Sequence, residues 1–416
     1  MNPFHYKDNQ LFCENVPVER VAEETGTPFY LYSRSYLLDR FHAYERGFGN
    51  HPSMICFAVK SNSNLAVINT LAEVGAGADI VSGGELFRAL RAGVPADRIV
   101  YSGVGKKPEE IRYALDAGIL MFNVESMEEL AAISDIAHGA GKKAGIAIRV
   151  NPDVDAGTHP YISTGLKKNK FGLSVEQAEA AYMKAKGLPG IEIRGIDCHI
   201  GSQLVDSTPF MDAFSRVRRL LERLETNGIS IDYIDIGGGL GIRYRDETPP
   251  SPDEYIEAIL QLAQGLSQTI IVEPGRSISG NAGILVTKVL YTKDNGSKQF
   301  VVVDAAMNDL GRPSLYGSWH DILPVRETGD DTITADIVGP ICETGDFLAR
   351  DREIPAFRQG DLMAVMSAGA YGFTMSSNYN TRPRVAEVMA EGGEFRVVRK
   401  RETLEDMVAN ESIAVW

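Results

Sequence analysis

Between residues 54 and 273 the chain repeats one unit, a short apolar run followed by a stretch of helical periodicity. The apolar runs are Met54–Val59, Ala78–Val81, Ile99–Tyr101, Leu120–Asn123, Ala144–Val150, Ile193–His199, Tyr233–Ile236 and Thr269–Glu273. Continuous apolar runs of this length read as strands buried on both faces, the pattern of a parallel sheet. Between them lie Leu65–Val74, Glu85–Ala92, Pro108–Ala117, Met127–Gly139, Val175–Lys186, Phe210–Asn227 and Asp253–Gly265, all with helical spacing. Ser126 with Glu129 and Ser174 with Gln177 have the spacing of capping boxes. Gly75, Gly93 and Gly118 stand where helices should stop. Eight strands alternating with helices over ~220–250 residues predict an α/β fold of the (β/α)8 barrel type. A doubly wound sheet is the alternative. It would want a GxGxxG after its first strand, and Phe57-Ala58-Val59-Lys60-Ser61-Asn62-Ser63-Asn64 offers none.

Beyond Gly275 helical periods become scarce. Alternating runs take over at Ile284–Tyr291, Phe300–Ala305, Thr332–Val338, Asp361–Met366 and Arg384–Met389. Asp294-Asn295-Gly296 and Gly392-Gly393 read as hairpin turns. The expected organisation is an N-terminal segment over 1–35, a barrel over 36–280 and a C-terminal β-rich domain over 281–416. Phe29–Tyr32 is expected to be a strand that joins the β domain.

The 416 residues are 44% hydrophobic and 24% charged, an ordinary globular composition. A net charge of −14 disfavours a nucleic-acid backbone or an anionic membrane as partner. No apolar run approaches the ~18 residues of a membrane span. The opening Met1–Phe12 has neither the basic region nor the apolar stretch of a signal peptide, and no Arg-rich transit character. Cys13, Cys56, Cys198 and Cys342 are far apart and form no CxxC pair, so no metal site and no disulfide framework is expected. A reducing, cytoplasmic setting follows.

Barrel enzymes react at the C-terminal ends of their strands. There the sequence places Lys60 after the first strand and Asp79 on the second, followed by Ser82-Gly83-Gly84-Glu85. His199, Gly201 and Ser202 follow the sixth, Gly237-Gly238-Gly239-Leu240-Gly241 the seventh, and Glu273-Pro274-Gly275-Arg276 the eighth. Glycines without Cβ let backbone N–H groups approach an anion. A lone glycine run is more often a tight turn. Two such loops at the usual phosphate end of a barrel, one with Arg276 beside it, favour a phosphate. A lysine past a strand is ordinarily a solvated cap. Near a phosphate cradle, a desolvated lysine can form a Schiff base with an aldehyde cofactor. Glu273 can keep a pyridine nitrogen protonated, and His199 can stack on a flat ring. Together these residues point to pyridoxal 5′-phosphate. An aldolase-like barrel with a sugar-phosphate substrate and no cofactor is the competing reading.

The motifs Phe57-Ala58-Val59-Lys60-Ser61-Asn62, His199–Gln203, Gly237–Gly241 and Glu273–Arg276 resemble those of pyridoxal-phosphate-dependent decarboxylases of the alanine racemase-like barrel class. Gly311–Tyr316, Cys342–Asp346 and Gly369–Gly372 resemble, within that class, the family that decarboxylates meso-diaminopimelate to L-lysine and carbon dioxide in lysine biosynthesis. The motifs run in matching order over nearly the whole chain. Thr344 stands where the family usually has serine and keeps the hydroxyl. The resemblance implies Lys60 as the cofactor lysine, His199 on its ring and Glu273 on its nitrogen. It implies cofactor contacts from Asp79, Ser202, Gly238, Gly239, Pro274, Gly275, Arg276 and Tyr371. Arg276, Arg312, Tyr316, Glu343 and Tyr371 would meet the substrate, and Cys342 would donate the proton that replaces the carboxylate. It further implies a homodimer whose sites are shared, with Cys342 and Glu343 coming from the second subunit. Arg312 and Tyr316 suit a substrate with a distal carboxylate, since Arg pairs carboxylates bidentately. Decarboxylases of carboxynorspermidine, ornithine or arginine, a racemase, and a catalytically dead regulator are the other readings.

Overall fold

The computed structural model describes residues 2–154, 169–327, 329 and 331–416. The chain divides into two compact units. One comprises Leu38–Ile242 and Glu247–Ser277, the other Met1–Leu37, Arg243–Asp246 and Ile278–Trp416.

In the first unit eight parallel strands close into a barrel in sequence order. They are Ser53–Ala58, Gly77–Ile80, Ile99–Tyr101, Met121–Val124, Ala144–Arg149, Ile191–Asp197, Tyr233–Asp235 and Thr269–Val272. The ring closes where Ile270 of the last strand pairs with Ser53 of the first. Helices follow the strands, so both strand faces are covered and the runs are continuously apolar. Ala144–Arg149, for example, is buried at all six positions.

Caps end and start the helices much as their residues demand. Ser174 and Gln177 form a full capping box. Ser126 accepts from the Glu129 N–H, but the Glu129 carboxylate accepts from the N–H of Glu125 and from Lys106. It is drawn one residue back by the buried lysine. Gly75, Gly93 and Gly118 all take positive φ, as helix-ending glycines do. The longest helix, Thr208–Thr226, buries Phe210, Phe214, Val217, Leu220, Leu221 and Leu224 along one face. Each of these is worth about 2 kcal/mol of transfer free energy, so a charge at Leu221 would undock the helix.

A twelve-residue strand, Gly283–Asp294, organises the second unit. It lies in a nine-stranded sheet and pairs with Phe29–Ser33, Gln299–Val303 and Leu362–Val365 along its length. Phe29–Ser33 is sandwiched between this strand and Ala386–Glu391. Both expected hairpins form. Asp294 accepts from the Gly296 N–H at 2.7 Å, and Glu391 faces Glu394 across Gly392-Gly393. A small three-stranded sheet, Phe4–Lys7, Gln10–Cys13 and Val16–Pro17, and the helix Val18–Thr25 pack Phe4, Leu11, Val16 and Val21 against Leu31, Ile284 and Val388. Among the described residues no helix is long and apolar enough to cross a membrane.

Candidate active site

Side chains two residues apart on a strand share a face. The barrel interior uses this period to change from apolar to polar. Val100, Met121, Ala147 and Ile271 belong to one apolar cluster inside the barrel. Two residues further along the same strands come Ser102, Asn123, Arg149 and Glu273. Asp79, Asp197 and Asp235 complete this layer from the second, sixth and seventh strands, and Lys60 follows the first. Every barrel strand therefore brings one polar group to its C-terminal end. All but Lys60 are buried.

Lys60, in the short turn Val59–Ser61, pairs with the Asp79 carboxylate. Asp79 is fully buried, and its Oδ1 has no hydrogen-bond partner among the described residues. Across the layer, Glu273 Oε1 accepts from Asn123 Nδ2 at 3.3 Å and Ser102 Oγ at 3.4 Å. The same Asn123 nitrogen lies 3.3 Å from Asp235 Oδ2. Asp197, Asp235 and Glu273 each offer an oxygen within 4.8 Å of the other two. At an effective dielectric near 20, two charges ~4 Å apart interact by about 4 kcal/mol. Three ionised carboxylates this close would exceed what the nearby cations offset. Arg149 is already bound to Glu125 at 2.7 Å and reaches Asp197 only at 3.9 Å. Burial and mutual repulsion push Asp197 and Asp235 well above the usual carboxylate range. Burial, with the Asp79 charge, pushes Glu273 up to about 7.

The glycine loops at the strand ends pack closely on one another. A Cβ on Gly238 would stand 2.1 Å from the Glu273 carbonyl oxygen, and one on Gly275 would stand 2.8 Å from Ser61 Cβ. Gly239 has φ +117, and a Cβ there would stand 2.6 Å from the Gly201 carbonyl oxygen. Only glycine lets the loops after the first, sixth, seventh and eighth strands meet. Gly238 N–H donates to His199 Nδ1 at 3.1 Å, which leaves the imidazole proton on Nε2. Burial, then the charges of Arg149 and Lys60, hold His199 well below its ordinary range, so the ring is neutral. Arg276 Nη2 donates to Ser202 Oγ at 3.0 Å. An amine, a buried carboxylate, a neutral flat ring and a Cβ-free cradle with a guanidinium fit a phosphorylated pyridine aldehyde.

The second unit holds the remaining expected residues. Arg312 starts the helix Arg312–Tyr316, with Pro313 in its first turn. Its guanidinium is buried, lies over the Tyr244 ring and contacts His320 Nε2 at 3.0 Å. Ser314 Oγ ties this helix to the Gly345 carbonyl at 2.7 Å. In that loop Cys342 is exposed, and its N–H donates to Asn380 Oδ1. Glu343 accepts from the Tyr379 hydroxyl at 2.7 Å. Tyr371 sits at φ +55. Thus Lys60, Asp79, His199, Ser202, Gly238, Gly239, Glu273, Pro274, Gly275 and Arg276 gather in the barrel unit. Arg312, Tyr316, Cys342, Glu343 and Tyr371 belong to the other. Sequence reasoning missed Ser102, Asn123, Arg149, Asp197 and Asp235. Their signal was a polar residue at or near the end of an apolar strand. It also missed His320, Tyr379 and Asn380, which no local pattern marks.

Residues 34–280 match the family described as pyridoxal-dependent decarboxylase, pyridoxal binding domain. The chain is similar to diaminopimelate decarboxylase of Pseudomonas aeruginosa, with 53% identity over 413 residues and 99% of each chain covered. It is similar to diaminopimelate decarboxylase of Vibrio cholerae, with 52% identity and 99% of each covered. The crystal structure of diaminopimelate decarboxylase from Helicobacter pylori complexed with L-lysine superposes with a TM-score of 0.91 at 45% identity. That match covers 94% of this chain and 98% of the other.

Proposed function

The chain belongs to the diaminopimelate decarboxylases of the pyridoxal-dependent decarboxylase family, and from that membership we propose how its own residues divide the reaction. It is a lyase that converts meso-2,6-diaminopimelate to L-lysine and carbon dioxide, the last step of lysine biosynthesis, with pyridoxal 5′-phosphate as cofactor. When bound, the cofactor supplies an aldehyde for amines and a protonated ring that accepts the electron pair left by departing carbon dioxide. Lys60 Nζ is the amine that holds the aldehyde, and Asp79 positions it. Glu273 keeps the ring nitrogen protonated, and the neutral His199 ring lies against the cofactor's face. Ser202, Gly238, Gly239, Pro274, Gly275, Arg276 and Tyr371 hold the phosphate end.

Arg312 and Tyr316 grip the distal carboxylate of the substrate, with Arg276, Tyr371 and Glu343 completing its recognition. Specificity follows, because a site built to pair a carboxylate leaves its arginine unsatisfied with any substrate that lacks one. The protein works as a homodimer in the cytoplasm. The partner's Cys342 delivers the proton that replaces the lost carboxylate, and the partner's Glu343 reaches the same substrate.

The observation that carries this division is the barrel mouth, where an amine, a buried carboxylate and a Cβ-free cradle converge. The test is incubation of the protein and pyridoxal phosphate with meso-diaminopimelate, L-lysine and L-ornithine in turn. Lysine and carbon dioxide should form from the first alone. Equal turnover of ornithine would overturn the assignment of Arg312.

A further inference from the structure

The polar layer that contains Glu273 holds more carboxylates than cations. From the second strand Asp79 is answered by Lys60, and from the fifth Arg149 is answered by Glu125. Asp197, Asp235 and Glu273 remain, converging within 4.8 Å. Three such oxygens could also ligate a divalent cation. Asn123, however, turns its NH2 into the cluster, 3.3 Å from both Asp235 and Glu273, and Arg149 flanks Asp197. Donors placed there suit a shared proton and oppose a metal ion.

The three carboxyls differ in their contacts. Asp197 has the guanidinium of Arg149 beside it. Glu273 receives Asn123 Nδ2 and the Ser102 hydroxyl. Asp235 spends Oδ1 on the Gly237 N–H at 2.9 Å. Its Oδ2 lies 3.3 Å from Asn123 Nδ2, and one of its carboxyl oxygens stands within 4.8 Å of an oxygen of Glu273.

We propose that Asp235 is the neutral acid of this cluster and the positioning residue for Glu273, its Oδ2–H donating to the Glu273 carboxylate. Glu273 then keeps its charge for the cofactor's ring nitrogen, so this inference rests on the cofactor reading above. Asp235 also joins the start of the glycine run, through Gly237, to the ring-nitrogen end of the site.

The test has two arms. Infrared spectra of cofactor-free protein labelled with carboxyl-13C aspartate should show a protonated aspartate carbonyl at pH 7. Asp235→Asn should remove one carboxyl's share of it. In the holoenzyme, Asp235→Ala should lower the single-turnover rate at least about tenfold and alter the pH dependence of the cofactor absorption band. Asp235→Asn, neutral and still a donor, should recover most of that loss. A band that loses no intensity in Asp235→Asn would overturn the proposal. So would a wild-type band that moves only with labelled glutamate, which needs no variant to fold. The infrared arm uses no cofactor. A standing aspartate band without pyridoxyl fixed in the barrel would therefore fail the cofactor reading alone.

Discussion

Gly238→Ala tests the backbone packing on which the cofactor cradle depends. The new methyl would stand 2.1 Å from the Glu273 carbonyl oxygen. Non-bonded contact begins near ~3.4 Å, so one of the two backbones must move by roughly 1 Å. Neither is free to do so cheaply. The Glu273 N–H is bound to the Gly237 carbonyl at 2.8 Å, and the Pro274 carbonyl accepts from Ala58 N–H at 3.1 Å. The shift would therefore pass to Glu273 on one side and to the strand leading to Lys60 on the other. Overpacking costs about 1–3 kcal/mol, and an obstacle made of hydrogen-bonded backbone belongs at the upper end. For a unit of this size that lowers the melting temperature by roughly 5–10 °C. Cofactor affinity should drop at least about tenfold, since 1.4 kcal/mol suffices for that. The control is Gly393→Ala, where a methyl meets nothing within 4 Å. Both variants are followed by circular dichroism on heating and by cofactor absorbance after dialysis. If they melt within about 1 °C of each other and retain cofactor equally, the steric reasoning is wrong.

Borohydride reduction of the yellow holoenzyme should fix pyridoxyl on Lys60. Peptide mapping checks this, and a label on another lysine removes Lys60 from its role. Arg312→Ala should cut kcat/KM for meso-diaminopimelate at least about 30-fold, the cost of unpairing a buried charge, and Arg312→Lys should not restore it fully. Lys60→Ala and Cys342→Ala should each be nearly inactive as homodimers. Co-expressed with distinguishable tags, they should regain up to about a quarter of wild-type activity, because each mixed dimer has one intact site. Tagged heterodimers without recovery would exclude a shared site. Burial raises Glu273 above its unfolded value to about 7, so its contribution to the stability of cofactor-free protein is complete at low pH. It is lost as pH rises from about 4.5 through about 7, a change on the order of 3 kcal/mol. Denaturant titrations across that range should show a falling stability whose slope is reduced in Glu273→Gln.

The barrel was legible because strands covered on both faces must be apolar throughout, and eight such runs stood between helical periods. The second unit was harder to read. Phe347–Pro355 carries Arg350, Asp351, Arg352 and Glu353 in a row, with Asp351 at φ +45. Its irregular register with Thr332–Val338 hides the alternation a strand should show. The three short N-terminal strands and the helix Arg34–Phe48 also went unread, the former being too short for a period to emerge. Site glycines, Lys60 and Glu273 were visible because loops after strands announce themselves. Asn123, Asp197 and Asp235 were absorbed into apolar runs, where a single polar residue is easily taken for the run's edge. Their period-two relation to the apolar layer is a property of the closed barrel.

The position of Phe29–Ser33 bears on how the molecule is made. This strand is buried at all five positions, yet both its neighbours, Gly283–Asp294 and Ala386–Glu391, are translated far later. At about 5–20 residues per second, the ribosome needs roughly 10–50 s to reach the first of them. Throughout that interval Phe-Tyr-Leu-Tyr emerges with open hydrogen-bonding edges, while the barrel behind it can already be closing. Slow synthesis should expose this segment longest, and soluble yield should respond to elongation rate more through these five residues than through the barrel.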